Sequence, residues 1–254
     1  MALGMLKGVR SVTAFLTIIP VGMSQDCLVG AADHMYLFPL IGALIGLLAG
    51  LLAMLLFLAL PSLVVGVLTL GFILLFTGLH HTDGLLDFGD GLMYQGPPEK
   101  KIEIMHDQRT GAGGLALGLV TLSATAFSIA ALSPSLALQV LILSEVSAKL
   151  AMVTEARVGR SAHKGMNTYF IEAMHGKRGA LRFIIALIIS FGLAVSLLRT
   201  LGFLGLVAGI ITALIIVWAS NRHFNGLTGD VFGATNDLAR MICLISVLVV
   251  SKWV

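Results

Sequence analysis

Charge is scarce in this chain. Only 11% of its 254 residues are Asp, Glu, Lys or Arg, and 57% are hydrophobic. Soluble domains carry about 25% charged residues, so a soluble globular fold is excluded. Cysteine is nearly absent as well. Cys27 and Cys243 show no partner spacing in the sequence, which supports neither a disulfide framework nor a thiolate metal centre. No heptads, low-complexity tract or short-period repeat occur, so coiled-coil and solenoid classes fall away. The N-terminal stretch MALGMLKGVRSVTAFLTIIP has no small-residue cleavage site after its apolar part, and no cleaved leader is expected.

What the chain does have is long apolar runs. A spanning helix needs roughly 20 such residues. Seven runs read as spans: 36–60, 63–79, 113–132, 136–152, 181–198, 201–218 and 239–250, with Pro61 as a natural stop after the first. Residues 5–22 are shorter and amphipathic, with Lys7 and Arg10 near one end. They are expected to lie in the interface or to re-enter the membrane. The expected fold class is an all-α polytopic transmembrane helix bundle of about seven spans, one integral-membrane domain over residues 1–254.

The few charges are placed unevenly. With seven spans, the N-terminus and segments 80–112, 153–180 and 219–238 share one side. Of the 16 lysines and arginines, only Arg199 and Lys252 fall on the other side, and Lys149 and Arg240 sit at nearby helix ends. All seven histidines lie on the first side, as do all acidic residues except Glu145. The positive-inside rule puts that side in the cytoplasm, and a plasma-membrane protein is expected. A transporter opens to both faces and usually carries ionisable groups near the midplane. Polar chemistry gathered at one face favours an enzyme or docking protein working on a cytoplasmic substrate.

The densest polar segment is HHTDGLLDFGDG, residues 80–91. Asp83, Asp87 and Asp90 are spaced four and three apart, which gathers them on one helical face. Like charges at that spacing repel, and burial adds to the cost. A hard divalent cation removes the conflict, and Mg²⁺ suits carboxylates while leaving positions for substrate phosphates. Gly84, Gly89 and Gly91 leave room for a bulky ligand beside the backbone, and they weaken the helix past Leu85. The next loop, MHDQRTGAGG (105–114), adds Asp107 as a metal ligand or base. It also adds Arg109 as a phosphate fork, and a glycine-rich helix start at Gly111 whose N–H groups suit an anion. Carboxylates, an arginine and a helix N-terminus together point to phosphoryl transfer on a diphosphate.

Two further clusters share that side. In 153–182, Arg157, Arg160 and Lys164 are candidates for holding phosphates or a nucleotide, against the alternative of a topology-setting basic loop beside anionic lipid. Lys177, Arg178 and Arg182 read as the latter. In 219–240, Asp230, Asn236 and Asp237 are candidates for a second ion, a positioned hydroxyl or a nucleoside. The alternative is a Gly- and Asn-rich turn that caps the last helix. Glu145 and Lys149 lie four apart within the fourth span and are expected to pair.

Three segments have the form of a known signature. HTDGLLDFGDGL (81–92) matches HxDGLxDxxDG, MHDQRTGAGG (105–114) matches MKDxxxGxxG, and GLTGDVFGATNDL (226–238) matches GDxxGAxxEL. FLTIIP (15–20) and FPLIG (38–42) match N-terminal patterns more loosely. In this order and spacing, along nearly the whole chain, the sequence resembles the cobalamin synthase family, the adenosylcobinamide-GDP ribazoletransferases.

The resemblance implies a Mg²⁺-dependent membrane enzyme. A hydroxyl of α-ribazole or its 5′-phosphate attacks the diphosphate of adenosylcobinamide-GDP, GMP leaves, and a phosphodiester remains. By the same resemblance Asp83, Asp87, Asp90 and Asp107 are metal ligands. Asp107, Asp230 and His81 are catalytic candidates. The candidate substrate or phosphate contacts are those read from the residues above, Arg109, Gly111, Arg157, Arg160, Lys164, Asn236 and Asp237, of which Asn236 also matches the family element. Expected partners are the two substrates, the lipid bilayer and, by analogy, a second copy of the chain, with no nucleic acid. The sequence departs from the family at His106, where a lysine is usual, and at Asp237, where a glutamate is usual; the middle basic loop matches poorly. The spaced aspartates are also similar to those of the CDP-alcohol phosphotransferases (DxxDGxxARx₈GxxxDxxxD), whose AR pair and long spacing this chain lacks. A cation-coupled transporter is the alternative from another class.

Overall fold

The computed structural model describes residues 2–22 and 26–252. The described residues form helices and no strand. In order these are α1 (Ala2–Leu16), α2 (Asp26–Asp33), a 3-10 turn (Met35–Leu37), α3 (Phe38–Phe57), α4 (Ser62–Phe76), α5 (His80–Met93) and α6 (Pro98–Met105). They continue with α7 (Ala112–Ala130), α8 (Pro134–Val158), α9 (Met166–His175), α10 (Gly179–Phe224) and α11 (Gly229–Val250). The chain is the all-α polytopic bundle its hydropathy pattern predicts. Helices suit an apolar run in lipid because every backbone N–H and C=O is satisfied within the segment.

Five helices are long and apolar enough to cross a bilayer: α3 with its preceding turn, α7, α8, α10 and α11; α4 and α5 together make a further candidate, bent by 97°. One of the five, α10, is two helices joined at a break. Its backbone breaks at Arg199 (φ 48°, ψ −120°), and the Phe191 and Phe203 rings lie 5.4 Å apart. On a straight helix those residues would be about 18 Å apart. The arms 179–198 and 200–224 therefore fold back on each other. Counting them separately and the bent pair once gives seven candidate spans among the described residues.

Two of the differences from the hydropathy reading involve buried polar residues. The last span begins at Gly229, so the polar residues expected in a loop before 239 are the first turns of a helix. The fourth span runs on to Val158. In both cases polar side chains continue the helix because partners inside the bundle satisfy them, as described below.

The central helix is α8, buried on nearly all sides from Ser144 to Ala156. It packs against α3 through glycines at intervals of four. A Cβ at Gly42 would stand 2.6 Å from the Glu145 carbonyl oxygen, and one at Gly50 would stand 2.8 Å from the Leu138 Cα. In lipid no hydrophobic force drives helices together, and close backbone approach of this kind supplies the attraction. At one end of the bundle, α1, α2 and α9 pack over the core. There α1 buries Gly8 and Ser11 to Ala14 while exposing Gly4 to Lys7. The Ile18 amide just beyond α1 donates to the Phe76 carbonyl at 2.9 Å.

Candidate active site

The site begins with the bend between α4 and α5. Gly78 (φ 71°) and Leu79 (φ 63°) both take left-handed backbone, a conformation that costs a non-glycine residue about 1–2 kcal/mol. That turn redirects the chain by 97°, and α5 then runs unbroken through its glycines to Met93. Gly84 and Gly89 admit neighbouring backbone and Gly91 admits the Met105 side chain, which corrects their expected use by a ligand. A Cβ at Gly84 would lie 2.7 Å from the Asp230 carbonyl oxygen, and one at Gly89 would lie 2.9 Å from that of Gly113. From the opposite helix, a Cβ at Gly233 would lie 2.7 Å from the His81 carbonyl oxygen. The crossing of α5 and α11 is thus as close as two backbones allow, and it brings Asp230 to the aspartates of α5.

Asp83, Asp90 and Asp230 are the charged neighbours of Asp87, so four carboxylates converge where α5 meets α11. Their partners differ. Asp90 accepts from the Gly111 amide at 2.6 Å and from the Gly114 amide at 2.8 Å. It therefore serves as the anion at the N-terminus of α7, and the Gly111 amide expected for a phosphate is already engaged. Asp230 accepts from the Thr228 hydroxyl at 3.2 Å. No hydrogen bond or ion pair among the described residues engages the side chains of Asp83 or Asp87. Among the described residues, no three His, Cys, Asp or Glu side chains are grouped tightly enough to hold a metal ion by themselves. The donor set still fits Mg²⁺, which binds through one or two carboxylates plus substrate phosphates in preference to an all-protein cage.

The second loop stands beside this cluster. Both Asp107 oxygens accept from Arg109, through its amide at 3.1 Å and its guanidinium at 3.3 and 3.4 Å. Those bonds hold the Asp107 carboxyl below the usual carboxylate range. His106 is among the charged neighbours of Asp230, and its ring lies 5.6 Å from that of His163. The loop carrying His163 is tied down by backbone bonds: Leu227 N–H donates to the Arg160 carbonyl at 2.8 Å, and Ala162 N–H to the Leu227 carbonyl at 2.9 Å. Arg160 and Lys164 are exposed on that loop, and Arg157 is half-buried at the end of α8.

Asn236 and Asp237 point elsewhere. Both are buried in a network of charges at the bundle centre. Lys149 lies 3.5 Å from Glu145, which is the expected pair. Lys149 also donates to Asn236 Oδ1 at 2.5 Å. Arg240 bonds Glu145 and, at 2.6 Å, Asp237. The Asn236 amide reaches Asp237 at 2.9 Å, and the Thr82 hydroxyl donates to Asp237 at 2.8 Å. Below this network, Thr235 donates to Glu155 at 2.6 Å. The network satisfies charges that lipid cannot and ties α5, α8 and α11 into one unit.

A cavity of about 650 Å³ opens beside the aspartates. Asp83, Asp230, His80 and His81 form its polar edge, and α1, α2, α3, α8, α9 and α11 supply the rest. His81 is buried there, and its Nδ1 has no hydrogen-bond partner among the described residues.

Several contributors were not visible in the sequence. Lys101 of α6 donates to the carbonyls of Gly91, Leu92 and Tyr94 at 3.2, 3.2 and 2.6 Å, closing the C-terminal end of α5 with a cation. Thr82 and Arg240 complete the buried network. Nothing local in the sequence signalled Lys101.

Comparison with known proteins places the chain. The cobalamin-5-phosphate synthase family model matches residues 8–249. An adenosylcobinamide-GDP ribazoletransferase of Methanocella arvoryzae is 39% identical over 96% of this chain and 96% of its own length. A protein of the same name from Methanococcoides burtonii is 36% identical over 95% and 91%, and one from Thermococcus kodakarensis 33% over 91% and 94%. No solved structure matches. With the match running across all three aspartate-bearing segments, the chain belongs to the cobalamin-5-phosphate synthase family.

Proposed function

We propose that this protein joins a corrinoid diphosphate to a nucleoside, as the names of its relatives state for them. The donor is adenosylcobinamide-GDP and the acceptor α-ribazole or its 5′-phosphate. The observation that carries the reading is the placement of Asp83 and Asp230 on both the carboxylate cluster and the cavity edge. One small-molecule site therefore adjoins one diphosphate-type site.

The acceptor hydroxyl oxygen attacks the phosphorus that bears the cobinamide ester. The bond from that phosphorus to the GMP oxygen breaks, GMP departs, and the hydroxyl proton passes to a carboxylate. Asp230 is the base, because it lines the cavity while both Asp107 oxygens are taken by Arg109. Asp83 and Asp87, whose oxygens are uncommitted, would hold Mg²⁺. When bound, the ion supplies positive charge to the diphosphate and its leaving oxygen. Asp90 positions α7 against α5, and the Arg109 fork, largely exposed, is placed to meet an incoming phosphate. Arg160 and Lys164 add positive charge at the rim. The bias of Lys and Arg toward this end supports a site that faces the cytoplasm, and the plasma membrane is the membrane proposed. A homodimer is the assembly expected from the family resemblance.

The test is direct. Purified protein with Mg²⁺, adenosylcobinamide-GDP and α-ribazole should release GMP and form the joined corrinoid in equal amounts. Folded protein that yields neither overturns the reading. CDP-diacylglycerol should not turn over, and reconstituted vesicles should show no cation-driven flux.

A further inference from the structure

The cavity beside the aspartates has an unusual wall. Phe15, Phe38, Phe170 and Phe232 come from four different helices and meet ring to ring. Phe170 is the hub, with centroids 4.8 Å from Phe15, 5.8 Å from Phe38 and 6.2 Å from Phe232. Such tilted and edge-on contacts form an aromatic surface that suits a flat, weakly polar ring. Two of the lining residues each carry a buried polar atom without a partner. His81 Nδ1 and Asn167 Oδ1 have no hydrogen-bond partner among the described residues, and both residues line the cavity. His81 is 7% exposed and Asn167 2%. Leaving such groups unpaired costs about 1–3 kcal/mol each, so a ligand that bonds them is favoured.

We infer that this cavity is the acceptor subsite: the phenylalanine wall takes the flat base of the nucleoside, and the edge formed by Asp83, Asp230 and His81 faces its ribose. This rests on the reading above and adds where each substrate sits. Size points the same way. A volume of about 650 Å³ lies within the range of pockets that enclose ligands of roughly nucleoside size, and a corrin with its side chains is far larger. The guanine of the donor is a poor fit because its edge needs more polar partners than two. A benzimidazole ring carries few polar atoms, and its ribose hydroxyls would reach the carboxylates that must receive the proton. The corrinoid diphosphate then approaches from the Asp87 side of the same cluster.

Gly229 provides the test. It lines the cavity, and a Cβ built there meets no atom within 4 Å, so a side chain can start there without a backbone clash. Initial rates are measured in Gly229→Ala, Gly229→Leu and Gly229→Phe. The KM for α-ribazole should climb with side-chain size, by about ten-fold or more at Phe, while the KM for the donor stays within about two-fold. Free benzimidazole should compete with the nucleoside and not with the donor, and Gly229→Phe should abolish that inhibition. Should Gly229→Phe lose its thermal transition, Met166→Trp obstructs the same cavity from a side chain that is 62% exposed. Folded variants with an unchanged acceptor KM overturn the inference, as does a rise in donor KM instead. Failure of the broader reading is distinct, because it shows as absent turnover in the unaltered protein and removes both.

Discussion

Thr82 of α5 donates its hydroxyl to Asp237 of α11 at 2.8 Å, with both side chains buried. The glycine contacts between these helices set how close they lie, and this bond sets how they are rotated. Together they decide where Asp83 and Asp87 stand relative to Asp230.

Thr82→Val keeps the shape and removes the donor. A buried carboxylate oxygen loses a partner, at a cost of about 1–3 kcal/mol. The melting temperature in detergent should fall, and kcat should fall with little change in either KM. Unchanged values of both would show that α5 is held in rotation by other contacts.

Asp83→Asn and Asp87→Asn should each lower turnover by at least about 100-fold, the scale on which removing charge stabilisation acts. Asp87→Asn should also raise the melting temperature measured without divalent cations. It takes one negative charge from among Asp83, Asp90 and Asp230, and crowded like charges disfavour one another. A melting temperature lowered by this change would mean that the carboxylates do not crowd.

Asp90 behaves differently if its work is to cap α7. Asp90→Ala deprives the Gly111 and Gly114 amides of their acceptor, and loss of a helix cap costs about 0.5–2 kcal/mol. Residual turnover should need no more Mg²⁺ than the unaltered protein for half-saturation. A marked increase in that requirement would make Asp90 a metal ligand.

Arg240→Met leaves Glu145 and Asp237 buried without their shared cation. Breaking a buried pair in this way costs about 3–5 kcal/mol. Yield and melting temperature should drop far more than for any change at Arg160 or Lys164. Equal melting for Arg240→Met and Arg160→Met would contradict the network's structural role.

Much of this was legible in the sequence. Spacing placed Asp83, Asp87 and Asp90 on one face, and charge asymmetry put Asp230 and Asp107 at the same end. Hydropathy found the helices, because apolar length is a property of each segment alone. It misjudged the start of α11, since Asn236, Asp237 and Arg240 read as loop residues until their partners on α5 and α8 are known. Gly84, Gly89 and Gly91 misled for a related reason. A glycine marks a close approach, and only tertiary structure shows whether a ligand or another helix makes it. The four phenylalanines of the cavity lie more than 200 residues apart end to end, and no local pattern joins them.

The buried network also bears on how the chain enters the bilayer. Glu145 and Lys149 sit four apart on α8, and Asp237 and Arg240 three apart on α11. Each helix therefore carries its own counter-charge. During synthesis α8 emerges long before α11, and it can partition into lipid as an electrically neutral segment without waiting for its eventual neighbour. The contact between Arg240 and Glu145 is added later, and both pairs within the helices are kept. Assembly of the bundle then joins ion pairs already formed, and no bare charge has to cross hydrocarbon alone.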